Sequence, residues 1–442
     1  MNSALAVLLL TLSLNAQGQQ QPLSAFQVLL GGNAQAAHAS LERIRAGWRG
    51  EYAAMLLEML GHIPDREVQR DVVSLLERTS GRPFRGSPDP WYEWLWSMQP
   101  AEHPDYAEFK AGLYEQIDPR FREYFAGRPR ALIRLDEVRW GGVWRDGIPP
   151  LENPKMLRAR DARYLDGDDI VFGVAIDGDV RAYPKRILAW HEMVRDTIAG
   201  RPLNGVYCTL CGAMILYDVT VAGVHHKLGT SGFLYRSNKL MYDHATKSLW
   251  STLTGAPVVG PLAGQGIELK TLHVVTTTWK EWKKRHPETL VLSLDTGHVR
   301  DYSEGAAYRD YFATDRLMFG VPKLDDRLLN KAEVLAMRAA GEQLAISAQF
   351  LASNPVYHDR LGEGEFVVLT DASGANRVYE AAGLRFVSWD GAATARDSSG
   401  RVWKVFEDRL AGPAGKALRR LPAHRAFWFG WYAAFPATRL VK

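Results

Sequence analysis

Trp279-Lys280-Glu281-Trp282-Lys283-Lys284-Arg285-His286-Pro287-Glu288-Thr289 and Trp428-Phe429-Gly430-Trp431-Tyr432-Ala433-Ala434-Phe435-Pro436-Ala437-Thr438 carry Trp, Trp, Pro and Thr at identical offsets. A Trp-x-x-Trp followed at fixed distance by Pro and Thr reads as a short helix whose apolar face packs and whose end leads into a strand. Working outward, Trp250 and Gly260-Pro261 match Trp403 and Gly412-Pro413 with one residue fewer between them. Further upstream a shift of 163 residues pairs Gly178 with Gly341, Ala182 with Ala345 and Asp196 with Asp359. Self-similarity of this kind predicts two tandem copies of one supersecondary unit. The runs between the matches are short, β-branched and joined by Asp-Gly dipeptides, as in Ile170 to Ile176 and Asp179 to Tyr183, so each copy reads as mainly β with short helices.

The region before Ala131 has a different texture. Leu56, Leu57, Met59 and Leu60, then Val68, Val72, Val73, Leu75 and Leu76, recur at helical spacing, with Gly61 to Pro64 breaking between them. Trp91, Trp94, Leu95 and Met98 form a third such group, predicted to be core. At the N-terminus, the apolar run Ala4 to Leu14 followed by Asn15-Ala16 and a Gln-rich stretch has the layout of a secretory signal. The expected chain is therefore α+β: a signal peptide over 1–16, a HEAT-like helical region over 17–130, a first unit over 131–320 and a degenerate second unit over 321–442. Export places the protein in an extracytoplasmic space, periplasmic or secreted.

The 442 residues are 46% hydrophobic and 24% charged, enough apolar material for several cores. The net charge of +4 comes from interspersed Lys and Arg, which argues against nucleic acid as a partner. No apolar run after the first fourteen residues approaches the ~20 needed to span a bilayer. The helical region is the candidate surface for a protein partner.

The only two cysteines, Cys208 and Cys211, sit in Val206-Tyr207-Cys208-Thr209-Leu210-Cys211-Gly212. Two thiols separated by two residues across a turn chelate one soft metal ion or close a small reducible disulfide. Gly212 supplies the positive φ that such a turn needs. Under the 163 shift Cys208 falls on Asp371, Cys211 on Gly374 and His191 on Asn354. The tryptophans occur in both copies and read as scaffold, whereas the thiols occur in one copy and read as site. Candidate companions are His191, after the helix-starting Pro184, and Met241, a soft thioether ligand. His226 and His244 are the reserves. Adjacent strand residues face opposite sides, so only one of His225 and His226 can join a site. With two His the set suits zinc, and with one His or Met it suits copper. Without metal the cysteines and His191 make a thiol–disulfide centre. Glu192, beside His191 on a helix, is expected to point elsewhere. Gly229-Thr230-Ser231-Gly232 reads as a tight turn.

The ordered series Trp190-His191-Glu192, Tyr207-Cys208-Thr209-Leu210-Cys211-Gly212, Gly229 to Gly232, Met241-Tyr242-Asp243, Ser248-Leu249-Trp250, Gly260-Pro261 and Arg300-Asp301-Tyr302 resembles a bacterial and archaeal family, domain of unknown function 3179, over roughly 130 to 442. Members usually carry Pro at the position of Thr209 and Asn at that of Arg195, and neither change removes a candidate ligand. The resemblance implies no activity. The competing class is a non-enzymatic extracytoplasmic binding or scaffold protein with the cysteines as a local disulfide.

Overall fold

A computed structural model describes residues 20–442, so the signal-peptide segment lies outside the described residues. The chain divides into two compact units, one ending at Glu137 and the other running from Val138 to Lys442. The first is helical between residues 23 and 125. Its helix Arg66–Ser80 shows how the local sequence sets boundaries: the Asp65 carboxylate accepts from Glu67 N and Val68 N, and Gly81 at φ +67° ends the helix. Val68, Val72, Leu75 and Leu76 form its buried face. In the helix Asp89–Met98, Trp91 and Leu95 are buried as expected. Met98, however, is 44% exposed, and Tyr92 and Trp96 fill the remaining core places.

In the second unit, after the short strands Val138–Trp140, Leu151–Glu152 and Met156–Arg158, come strands β1 (Ile170–Ile176) and β2 (Asp179–Pro184), whose two-residue connection Asp177-Gly178 has φ of +48° and +88°. Both values are positive, as the tight turn favoured by right-twisted hairpins requires. Helix α1 (Lys185–His191) follows, then the meander β3 (Met193–Ile198), β4 (Arg201–Cys208) and β5 (Ala213–Asp218). A second meander runs β6 (Leu228–Tyr235), β7 (Asn238–Asp243), β8 (Leu249–Ser251) and β9 (Pro257–Val259). Strand β10 (Lys270–Leu272) joins β5, and β11 (Val275–Thr278), helix α2 (Trp279–Arg285) and β12 (Leu290–Leu292) return to the first sheet.

The remainder has β13 (Glu333–Ala339), β14 (Glu342–Ser347) and helix α3 (Ala348–Ser353). A three-stranded meander β15 (Val356–Leu361), β16 (Gly364–Thr370) and β17 (Asn376–Glu380) comes next. After a five-stranded sheet over residues 386–419, β18 (His424–Phe427), helix α4 (Trp428–Ala434) and β19 (Arg439–Val441) close the chain. The sheet β11-β1-β2-β12 pairs antiparallel, antiparallel, parallel, and the sheet β18-β13-β14-β19 does the same. Ala340 and Gly341, which link β13 to β14, also have positive φ.

The Trp-x-x-Trp helices α2 and α4 occupy corresponding places. Trp282 Nε1 donates to Thr289 Oγ1 at 3.1 Å, and Trp431 Nε1 donates to Thr438 Oγ1 at 2.9 Å. The matched Trp250 and Trp403 differ: Trp403 Nε1 donates to Asp397 Oδ2, whereas the buried Trp250 Nε1 has no partner. Gly229 to Gly232 is not a turn. It lies inside β6, where the ladder to β7 is irregular between Thr230 and Leu234, and Ser231 Oγ donates to Leu240 O at 2.6 Å across the gap. Gly229 meets a packing demand, since a side chain there would strike the Tyr242 ring, while Gly232 has a φ of +87°.

Truncating either buried indole should be costly. Trp282→Ala and Trp431→Ala should each lower stability by about 3–5 kcal/mol, read from urea unfolding followed by circular dichroism. A loss below ~1 kcal/mol for both would remove these helices from the core.

Candidate functional site

The sheet β10-β5-β4-β3 and the sheet β6-β7-β8-β9 share one interior, in which Cys208, Cys211, Val206, Ile215, Met241 and Trp250 belong to a common core. Cys208 ends β4 and Cys211 lies in the turn to β5, with Cα atoms 5.5 Å apart and the two sulfurs joined as a disulfide. Gly212 has φ +61°, as that turn requires. Both cysteines are buried, at 1% and 0% exposure. Their cover comes from the far end of the chain. Phe427 N donates to Cys211 O at 2.7 Å, the Phe427 ring lies against Gly212, and a Cβ at Gly430 would sit 2.7 Å from Cys211 Cβ.

Glu192 is the centre of the polar groups beside this turn. It caps α1 with φ +54°, so its side chain leaves the helix direction and turns toward the cysteines. Glu192 Oε1 accepts from Thr209 Oγ1 at 2.7 Å and from Tyr308 Oη at 3.0 Å, and Oε2 accepts from Lys239 Nζ at 3.0 Å. Tyr311 Oη donates to Leu210 O at 2.6 Å. Burial pulls the Lys239 pKa down and Glu192 opposes it, while burial and Glu192 together push the Tyr308 phenol up. The turn residue between the sulfurs thus rests on a buried ion pair, in a setting where charge interactions are stronger than in water.

The other named residues have contacts of their own. His191 shares a motif with Glu192 but faces the opposite side. Its Nδ1 lies 2.9 Å from Pro149 O, which fixes the proton there, so Nε2 accepts from Tyr302 Oη at 2.6 Å. Tyr302 Oη also bonds Thr296 Oγ1 at 2.7 Å, and the His298 ring is 5.1 Å away. Burial, with smaller contributions from His298 and Arg300, lowers the His191 pKa to about 4. Met241 shares the cysteines' core, with Asn204 Nδ2 3.9 Å from its sulfur. His225, at the end of the short exposed strand Val224–His225, is exposed, and His226, just beyond it, is buried with its Nδ1 2.9 Å from Asp243 Oδ2. His244 Nε2 accepts from Arg195 Nη1 at 3.3 Å. Among the described residues no group of three His, Cys, Asp or Glu is placed to hold a metal ion. None of the described helices is long and apolar enough to cross a membrane.

Sequence reasoning missed Glu192, Lys239 and Tyr308. The available signal was Lys239 itself, the one cation in the strand Asn238–Asp243, which is buried throughout, so that it needs a carboxylate partner.

Glu192→Gln leaves the Lys239 ammonium buried without a counter-charge and should cost about 3–5 kcal/mol. Adding Lys239→Met should recover most of that loss in the same denaturant titration, and a loss unrelieved by the second change would deny the coupling. For His191, the folded value of about 4 lies below the unfolded value of ~6.5. The unfolded chain therefore binds more protons in that interval, and stability falls as pH drops from ~6.5 toward ~4. His191→Gln should flatten the decline in urea midpoint between those limits, and an unchanged slope would contradict the assignment.

No curated protein and no solved structure matches the chain. The family model described as protein of unknown function (DUF3179) matches residues 145–438, which span the disulfide turn, its ion pair and the helix that covers it. The chain belongs to the DUF3179 family.

Proposed function

We propose that the protein is an extracytoplasmic thiol–disulfide redox protein in which Cys208 and Cys211 are the reducible couple. The observation that carries this reading is the disulfide seated on the Glu192–Lys239 pair through Thr209. In the reaction, a partner dithiol transfers two electrons and two protons to the bond, releasing two thiols here and a disulfide on the partner. Glu192 and Lys239 are positioning residues that hold the turn and set the field in which a thiolate forms.

Two further observations support a chemical over a purely mechanical role. A four-residue loop closed by a disulfide contributes only about 2 kcal/mol by chain entropy. The corresponding turn, Asp371 to Ala375, is held without any sulfur: Asp371 Oδ1 accepts from Ser373 N at 2.9 Å and Ala375 N at 3.1 Å. The like pairing of four strands in the five-stranded sheet around β1 and in the four-stranded sheet around β13 supports reading the second unit as two copies of one element. Cysteines able to persist as a disulfide, together with the signal-like first sixteen residues, support export. The reduced pair with His191 and Met241 remains the candidate set for copper or zinc.

A second reading is favoured by the near-complete burial of both sulfurs: a non-enzymatic binding or scaffold protein with a local staple. Mature protein from the exported fraction separates them. Its mass should lack the N-terminal segment, and in native buffer a dithiol reductant should expose two titratable thiols while circular dichroism is unchanged. Cys208→Ser/Cys211→Ser should fold, losing no more than about 2 kcal/mol. Thiols that appear only on global unfolding would establish the staple. Stoichiometric copper or zinc on the reduced protein would make the couple a metal site.

A further inference from the structure

The buried carboxylate of Glu407 receives three guanidinium groups: Arg285 Nε at 2.7 Å, Arg377 Nε at 3.0 Å and Arg420 Nη1 at 2.6 Å. Asp371 shares Arg377, accepting from its Nη1 at 2.9 Å. Three cations thus meet two carboxylates, and one positive charge is left over. Arg285 spends Nη1 on Ala392 O and Nη2 on Val405 O, and Arg377 gives Nη2 to Glu407. Arg420 differs. Its Nη1 is doubly engaged, on Glu407 O and Oε2, but Nε and Nη2 have no partner among the described residues. Unlike Arg195 Nε, neither is sealed from solvent.

Those two nitrogens make the edge that grips both oxygens of a carboxylate in Arg134 on Asp136 and in Arg181 on Asp179. Arg420 is only 4% exposed, and its backbone is clamped, since its N donates to Asp408 O and Leu421 N donates to Val378 O. The edge is therefore in place before any ligand arrives.

Arg420 lines a cavity of about 630 Å³ between the β1–β2 hairpin and β10 on one side and residues 406–409 and 419–422 on the other. The mouth is balanced in charge. Arg201 pairs with Asp218, Arg409 with Asp408 and Arg419 with Glu380, while Lys270 and Asp177, without partners among the described residues, have opposite signs. His286 lies 3.4 Å from Glu407. Burial, then the charge of Arg420, lowers the His273 pKa to about 3; Glu407 and Asp408 oppose this and Lys270 adds to it. At this ring the charge of Arg420 outweighs that of Glu407. The rest of the wall is apolar, with Ile176, Val180, Leu272 and Leu421.

We propose that this cavity binds an organic monocarboxylate with an apolar body, its two oxygens accepting from Arg420 Nε and Nη2 and its body resting on Ile176, Val180, Leu272 and Leu421. One buried charge in excess calls for one anionic charge, and the flat fork fits a planar carboxylate. The site does not depend on the redox reading, because none of its residues belongs to the disulfide turn.

The test uses the full chain with benzoate, benzyl alcohol and inorganic phosphate as probes, followed by calorimetry and saturation-transfer difference NMR. Benzoate should bind saturably. Benzyl alcohol, the body without the charge, and phosphate, a charge without the body, should each bind at least about tenfold more weakly. Arg420→Lys keeps the charge but loses the fork, and should weaken benzoate by about tenfold. Should that variant not fold, Lys270→Glu on the exposed rim locates the anion, weakening benzoate about threefold by repulsion. No saturable benzoate binding at tens of millimolar overturns the proposal, as does equal binding of either other probe. An affinity unchanged in Arg420→Lys, or in Lys270→Glu if only that variant folds, overturns it too.

Discussion

The reciprocal seating of two hairpin turns holds the second unit together. The turn after β4, with its disulfide, packs under Phe427 and Gly430 at the start of α4. The turn after β16 packs under α2: Ala375 shares a core with Trp279 and Trp282, and Ser373 Oγ bonds Thr277 Oγ1 at 3.0 Å. Each of these helix-bearing sheets thus completes its apolar layer with a turn supplied by the other part of the chain. The glycine at 430 is set by this constraint, because a methyl group there has only the Cys211 Cβ to displace. The two turns are closed by different means, a covalent bond in one and a carboxylate accepting backbone N–H groups in the other.

Polar groups in the shared interior are confined to its ends. Lys239 meets Glu192 at one end, Asp243 meets His226 at the other, and Met241 lies between them in the apolar middle. Buried charges in both places are paired, as the cost of isolated ones demands. The unpaired atoms Asn204 Oδ1, Arg195 Nε and Trp250 Nε1 gather around the histidine end, and that asymmetry distinguishes the two ends chemically.

Much of this architecture was legible in residue spacing. The Trp-x-x-Trp-Pro-Thr offsets located α2 and α4, and the Asp-Gly dipeptide located a hairpin. The cysteine turn and its positive-φ glycine were equally readable. Glu192 was not, because helical periodicity assumes that the helix continues, whereas the chain enters the left-handed region at that residue and redirects its side chain. Gly229 to Gly232 misled for a related reason: glycine and serine signal turns by default, but here they thin a strand so that Tyr242 can approach. The ends of the sandwich depend on pairings such as Asn204 with Met241, between strands that sequence patterning does not connect.

The cover over the disulfide has a consequence for biosynthesis. Phe427 and Gly430 are made roughly 200 residues after Cys211, which at about 5–20 residues per second leaves the thiols uncovered for on the order of 10–40 s. If the thiols join before those residues arrive, the last strand and helix close over a bond already formed. A chain that closes before its cysteines have joined buries them reduced. The order of two events, folding and oxidation, is in this way written into the distance along the sequence between a turn and its lid.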